Sequence, residues 1–217
     1  MAKAQNVLRY YVLCNVLKNT IRTGWTDWHV KRERIESVAE HIFSVQMLAI
    51  AMQSEYQYDI DLQKVIMMLA VHELEEILIG DLTLFQISKE EKLALGHKAI
   101  EEVLASLLNK EQIISLIEEF DSKSTPEALF AHRCDKLECD LQSKLYDEEH
   151  CVDLNNQEGN NTMNHPLVKE LLESGMSWSE MWLAFGQKIY DYDQNFREVS
   201  DYAMKNNISN LAKSPKK

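Results

Sequence analysis

The sequence predicts an all-α protein, and three observations carry that prediction. Six glycines and three prolines punctuate 217 residues, so element breakers are scarce. Apolar residues recur at three- and four-residue spacing, while alternation of the strand type is nearly absent. Three Ser-x-x-Glu capping boxes, starting at Ser37, Ser88 and Ser177, mark helix starts. With 45% hydrophobic and 27% charged residues, the chain has the balance of a globular protein and the length to bury a core.

The first helix covers 2–19, with Val7, Tyr10, Tyr11, Cys14 and Leu17 at helical spacing. Thr20 to Glu36 breaks the pattern as a loop that holds Gly24, Trp25, Trp28 and a basic island. Ser37 then caps a helix that runs to about Ser54. Its core face is expected to carry Ile42, Val45, Met47, Leu48 and Ala51, with His41 in its first full turn. Asp61 caps the next helix, which is expected to continue through His72 and stop near Gly80. Ser88 opens a long helix to about Leu108, and a further helical segment covers 110–120. Thr125 with Pro126 at the first helical position starts a helix to about Glu149. Residues 150–165 read as an Asn-rich surface loop. Pro166 opens a short helix, and Ser177 opens the last one or two helices, to about Asn206. Residues 1–208 are thus expected to form one helical domain, with 209–217 as a flexible tail.

Net charge is −12, which argues against a nucleic-acid polymer as partner. The island Lys18, Arg22, Lys31, Arg32 and Arg34 faces only Asp27 and Glu33, a local excess suited to a small anion. Cys14, Cys134, Cys139 and Cys151 have neither zinc-ribbon nor C-x-x-C spacing and read as reduced thiols of a cytoplasmic protein. The N-terminal apolar residues are interrupted by Arg9, Asn15 and Lys18, unlike a signal peptide. The longest apolar run, Val65 to Val71, is far shorter than the ~20 residues of a membrane span, so no membrane role is expected.

Chemistry concentrates in His72-Glu73-Leu74-Glu75-Glu76, with Gly80-Asp81 just beyond. Buried carboxylates are costly unless paired or bound to metal. On a helix His72 and Glu73 could grip one ion from adjacent positions. Glu76 would stand one turn from His72, and Glu75 would point to solvent. The zinc-protease motif H-E-x-x-H fails because position 76 is Glu. The di-iron bundle motif fails because none of the seven histidines has a Glu three residues before it. Phosphate-binding glycine loops and the G-x-S-x-G elbow are absent. A metal site assembled from several helices remains, with ligands needed elsewhere in the chain.

His41, in Glu36-Ser37-Val38-Ala39-Glu40-His41, and Asp135, in Arg133-Cys134-Asp135-Lys136-Leu137-Glu138, are available. Together with Arg22-Thr23-Gly24-Trp25 and the 72–81 stretch, these segments resemble the HD-domain metal-dependent phosphohydrolases. The nearer resemblance is to the bacterial 5′-deoxynucleotidase branch and its eukaryotic relatives. The motif-bearing core spans about 8–149; the helices over 166–207 carry no motif of it. The resemblance implies a single helical HD-domain bundle with extra C-terminal helices. It implies metal ligands at His41, His72, Glu73 and Asp135, with catalytic roles for Glu76 and Asp81. It further implies substrate contacts from Arg22 and Trp25, one divalent transition metal (Mn, Co, Fe or Zn), a small-molecule nucleotide substrate and a homodimer. The expected reaction is release of phosphate from (deoxy)nucleoside 5′-monophosphates. The alternatives are a phosphodiesterase or (p)ppGpp-type hydrolase on the same fold, or a degenerate nucleotide-binding protein. One departure bears on all of them: the family's Asp of the His-Asp pair is Glu73 here, a methylene longer.

Overall fold

The structure, a computed structural model, describes residues 2–83 and 86–212, for residue 89 the backbone alone. In order, the α-helices are α1 (Lys3–Cys14), α2 (Thr23–Asp27), α3 (Val38–Tyr56), α4 (Leu62–Val71) and α5 (Glu76–Ile79). There follow α6 (Lys89–Leu104), α7 (Lys110–Ser122), α8 (Pro126–Glu148), α9 (Pro166–Glu173), α10 (Trp178–Ile189) and α11 (Gln194–Lys205). Among the described residues there is no sheet, only an isolated bridge between Ile21 and Ser37. No described helix is long and apolar enough to cross a membrane. All four cysteines are free thiols.

The three capping boxes form at Ser37, Ser88 and Ser177. At Ser37 the hydroxyl accepts from the Glu40 amide at 3.3 Å while Glu40 Oε2 accepts from the Ser37 amide at 2.9 Å. Each box satisfies amides that a helix start leaves orphaned, a contribution of about 1 kcal/mol.

Three segments differ from expectation. The loop 20–36 contains the short α2. The helix from Asp61 does not continue to Gly80: α4 ends at Val71, residues 72–75 form turns, and α5 restarts at Glu76. Here the amides of Leu74, Glu76 and Ile77 bond carbonyls three residues back rather than four, the tighter 3₁₀ pattern. Third, Ser209–Ala212 forms a 3₁₀ turn, because Glu148 accepts from the amides of Ile208 at 2.8 Å and Ser209 at 2.9 Å. The rest of the expected tail, 213–217, lies outside the described residues.

The chain divides into two compact units. The first comprises 1–24 and 35–132. Its core joins Leu17, Val38, Val71, Leu74, Ile100, Val103 and Ile117, with Tyr10, Leu13 and Ile42 packed against it. Each fully buried aliphatic side chain contributes about 1.5–3 kcal/mol. The turn at 72–75 is therefore anchored on both sides, since Val71, Leu74 and Ile77 all enter this core.

The second unit comprises 25–34 and 133–217 and has an aromatic core. Trp25 lies edge-on to Tyr146 at 5.4 Å and near Trp178 at 6.2 Å, and Trp28 meets Trp178 at 5.8 Å. The two loop tryptophans thus find their partners inside a core. Behind them, Tyr192 Oη donates to the buried Asp140 Oδ2 at 2.9 Å. A Cβ on Gly186 of α10 would stand only 2.0 Å from that same oxygen. In an exposed helix Gly→Ala gains about 1 kcal/mol; here the overlap with a buried, hydrogen-bonded carboxylate reverses the sign. Gly186→Ala should lower stability by about 2–3 kcal/mol in urea titrations; an unchanged or raised midpoint would show that Asp140 can move aside.

Candidate metal centre

The site in the first unit is built from the start of α3, the turn after α4 and the segment 20–24. The Ser37 box fixes the first turn of α3, and with it His41, which is fully buried. His72 caps α4, and its Nδ1 lies 2.8 Å from the Leu69 carbonyl oxygen. A carbonyl can only accept, so Nδ1 carries a proton, and in the neutral ring Nε2 presents the lone pair. A ring held in this tautomer by a backbone carbonyl is the usual arrangement of a metal-binding imidazole.

Glu73 brings the site together. Its Oε1 stands 3.6 Å from His72 Nε2, 3.8 Å from His41 Nε2 and 3.3 Å from Arg22 Nη1. One donor atom from each of His41, His72 and Glu73 lies within 4.8 Å of the others. Donors sharing one ion at about 2.1 Å each lie up to ~4.2 Å apart, so this set fits a divalent cation with small side-chain shifts. Two imidazoles and a carboxylate suit a transition metal better than Ca²⁺. The longer carboxylate of Glu73 therefore still reaches both histidines. Glu73 itself lies in the 72–75 break, outside both α4 and α5.

Glu76, at the start of α5, is 1% exposed, and neither of its oxygens has a hydrogen-bond partner among the described residues. Lys92 of α6 brings its Nζ to 3.7 Å from Oε1 and donates to the Leu82 carbonyl at 2.9 Å. Burial, then Glu73 and Asp81, push the Glu76 carboxyl up to about 11, against the opposing pull of Arg22 and Lys92. A divalent cation held by Glu73 would offset the strongest of the neighbouring charges that raise it. Asp81 Oδ2 accepts from the Thr23 amide at 2.7 Å and lies 3.9 Å from Arg22 Nε, and the Thr23 hydroxyl donates to the Asp81 carbonyl. Asp81 is thereby tied to the segment that carries Arg22.

Glu75 departs from expectation. It is not turned to solvent: its stem lies against Gly96 of α6, its Oε2 is buried without a hydrogen bond among the described residues, and burial followed by Glu73 pushes its carboxyl up to about 8. The 3₁₀ turn rotates it inward, and the mid-helix Gly96, which costs α6 about 1 kcal/mol against Ala, was the readable sign of a close neighbour. Lys92 was also missed. A cation in the opening turns of a helix works against the macrodipole, and that mismatch is its signal.

The pH consequence follows from these shifts. Glu75 and Glu76 bind protons more tightly folded than at their ordinary value of 4.5, so stability is present at low pH and lost as pH rises toward 8 and beyond. The carboxylates held below the ordinary range, Glu91, Glu119 and Glu148, act below 4.5 and do not cancel this. In the presence of a chelator, melting temperature should fall from about pH 5 to 8 and fall less in Glu76→Gln; a flat wild-type profile would contradict the assignment.

Two expected site residues belong to the second unit. Asp135, on α8, is 3% exposed and bonded to Lys136 Nζ at 2.8 Å. Trp25 is 2% exposed within the aromatic core.

Comparison with known proteins completes the picture. A family model described as "HD domain" matches residues 14–174. The chain is 35% identical over 152 residues to "5′-deoxynucleotidase HDDC2" of Dictyostelium discoideum, covering 66% of this chain and 79% of that one. It is 28% identical over 198 residues to "5′-deoxynucleotidase hdd1" of Schizosaccharomyces pombe, covering 86% and 98%. Among solved structures, the PH0347 protein of Pyrococcus horikoshii shares the fold at a TM-score of 0.65 and 21% identity, covering 91% of this chain and 98% of that one. A predicted metal-dependent phosphohydrolase of Magnetospirillum magnetotacticum does so at 0.63 and 18%, covering 98% and 99%. With two histidines and the neighbouring carboxylate gathered as described, and a family match over most of its length, the chain belongs to the HD-domain family.

Proposed function

We propose that this protein is a metal-dependent phosphohydrolase that releases phosphate from (deoxy)nucleoside 5′-monophosphates in the cytoplasm. The observation that carries the reading is the shared approach of His41 and His72 to Glu73, on a chain whose curated relatives are named 5′-deoxynucleotidases. His41, His72 and Glu73, with Asp135 as the fourth ligand, would hold one divalent ion: Mn, Co, Fe or Zn. Asp135 rests on its place in the motif order and on its burial. The family match over 14–174 takes in both units, which supports reading 1–208 as one functional domain.

When bound, such an ion supplies Lewis acidity toward a phosphoryl oxygen and lowers the pKa of a coordinated water. Glu76 accepts the proton of the attacking water, and its buried oxygens, without hydrogen bonds among the described residues, suit it to that task. Lys92 holds the charge of Glu76 and, through Leu82, the approach of α6. Asp81 stands to act at the leaving sugar oxygen. Arg22 balances phosphate charge. Trp25, enclosed in the aromatic core, would contact the nucleotide by an edge at most.

The test is phosphate release by protein stripped of metal and reloaded with Mn²⁺ or Co²⁺, across nucleoside monophosphates, cyclic nucleotides and polyphosphorylated nucleotides. Release from 5′-monophosphates is expected; preference for cyclic or polyphosphorylated substrates would give the site to a phosphodiesterase or (p)ppGpp-type hydrolase. Metal bound with no release from any of them would leave a nucleotide-binding protein. A homodimer is part of the same reading. On α1, which has no acidic residue, Val7, Leu8, Tyr11 and Val12 form a stripe, each more than 60% exposed. A charge-free apolar face of that kind suits a second copy of an acidic chain; a monomer mass in sedimentation equilibrium would exclude it.

A further inference from the structure

Arg22 is held more firmly than a residue that only waits for substrate. Its amide donates to the Glu36 carbonyl at 3.1 Å, and the Val38 amide donates to the Thr20 carbonyl at 2.8 Å. This short bridge lashes segment 20–22 to the start of α3, the helix that carries His41. The next residue, Thr23, ties the same segment to Asp81 through both its amide and its hydroxyl. From this fixed base the guanidinium reaches two carboxylates: Glu73 Oε1 at 3.3 Å and Asp81 Oδ2 at 3.9 Å. The Glu73 oxygen it holds is the one that faces both imidazole Nε2 atoms.

Glu has one more rotatable bond than Asp, and the freedom it loses on coordination opposes metal binding. A carboxylate oxygen carries two lone pairs, so a guanidinium on one leaves the other for a cation. We propose that Arg22 is a positioning residue for the metal centre: it is the strut that makes the longer Glu73 serve where a shorter carboxylate would need no such support. The role rests on the metal-site reading above and is separate from any contact of Arg22 with substrate phosphate. It also makes the opposite of simple charge repulsion the expected result, since removal of a cation beside a metal would otherwise tighten binding.

The test is a double-mutant cycle on metal affinity, read by Co²⁺ absorption and by chelator competition, with no nucleotide present. Arg22→Ala should weaken Co²⁺ binding by about 10- to 100-fold, the usual effect of losing an outer-shell partner. In Glu73→Asp, whose carboxylate falls short of Arg22, the same substitution should change affinity less than about threefold. Arg22→Lys, which keeps charge but loses the planar fork, should lie between wild type and Arg22→Ala. Circular dichroism of each variant separates loss of fold from loss of metal. Three results overturn the strut: unchanged affinity in Arg22→Ala, which leaves Arg22 to substrate alone; raised affinity, which makes it a competitor; or an equal loss in both backgrounds. Wild-type protein that binds no Co²⁺ at all would overturn the metal-site reading and the strut with it.

Discussion

His72→Ala should remove stoichiometric binding of a divalent transition metal and lower phosphate release by about a thousandfold or more. The size follows from what the ion supplies: several kcal/mol of transition-state stabilisation, at a factor of ten per 1.36 kcal/mol. Position matters as much as identity. The Leu69 carbonyl fixes His72 in the tautomer that presents Nε2, and Nε2 lies 3.6 Å from Glu73 Oε1. No other side chain of the turn can take that place, because Leu74 enters the core and Glu75 lies against Gly96. His72 is buried, so the variant also leaves a small cavity, and its melting temperature must be measured beside its metal content. A folded His72→Ala protein that still binds one equivalent of Co²⁺ would remove His72 from the ligand set.

Glu76→Gln should behave differently: metal content unchanged, kcat lower by about a hundred- to ten-thousandfold. Gln keeps the shape of the side chain and takes away its capacity to accept a proton. The substitution should also stabilise the protein in the presence of a chelator, because a buried carboxylate without hydrogen bonds is costly to keep ionised. Loss of activity together with gain of stability marks a group retained for chemistry rather than for packing. Full activity in Glu76→Gln would move the base elsewhere, and loss of metal in it would make Glu76 a ligand instead. The two variants thus separate the roles assigned to residues only four positions apart.

Much of this was legible in the letters. Helix starts were, because a capping box is a local device: Ser37, Ser88 and Ser177 each needed only a Glu three residues on. His41, His72 and Glu73 were legible as a set from the order of the motifs. The break after Val71 was not. Its residues have ordinary helix propensity; at the break a ring nitrogen meets the Leu69 carbonyl three residues back, and three apolar side chains are drawn into one tertiary core. With the break went the orientation of Glu75, expected in solvent and found against α6. Trp25 was legible as a residue in need of partners, but the partners, Tyr146, Trp178 and Trp182, lie more than a hundred positions away.

The class of the fold, its helix starts, the family and the candidate site residues can be read from the letters alone. These depend on periodicity, capping and short motifs, all of which act within a few turns of chain. Packing of the helices sets how those residues meet. It let a longer carboxylate reach two histidines, set Arg22 on the same oxygen, and placed Lys92 beside a buried Glu76. Distances of that kind depend on how whole helices pack, and packing is fixed by contacts between residues that the sequence keeps far apart.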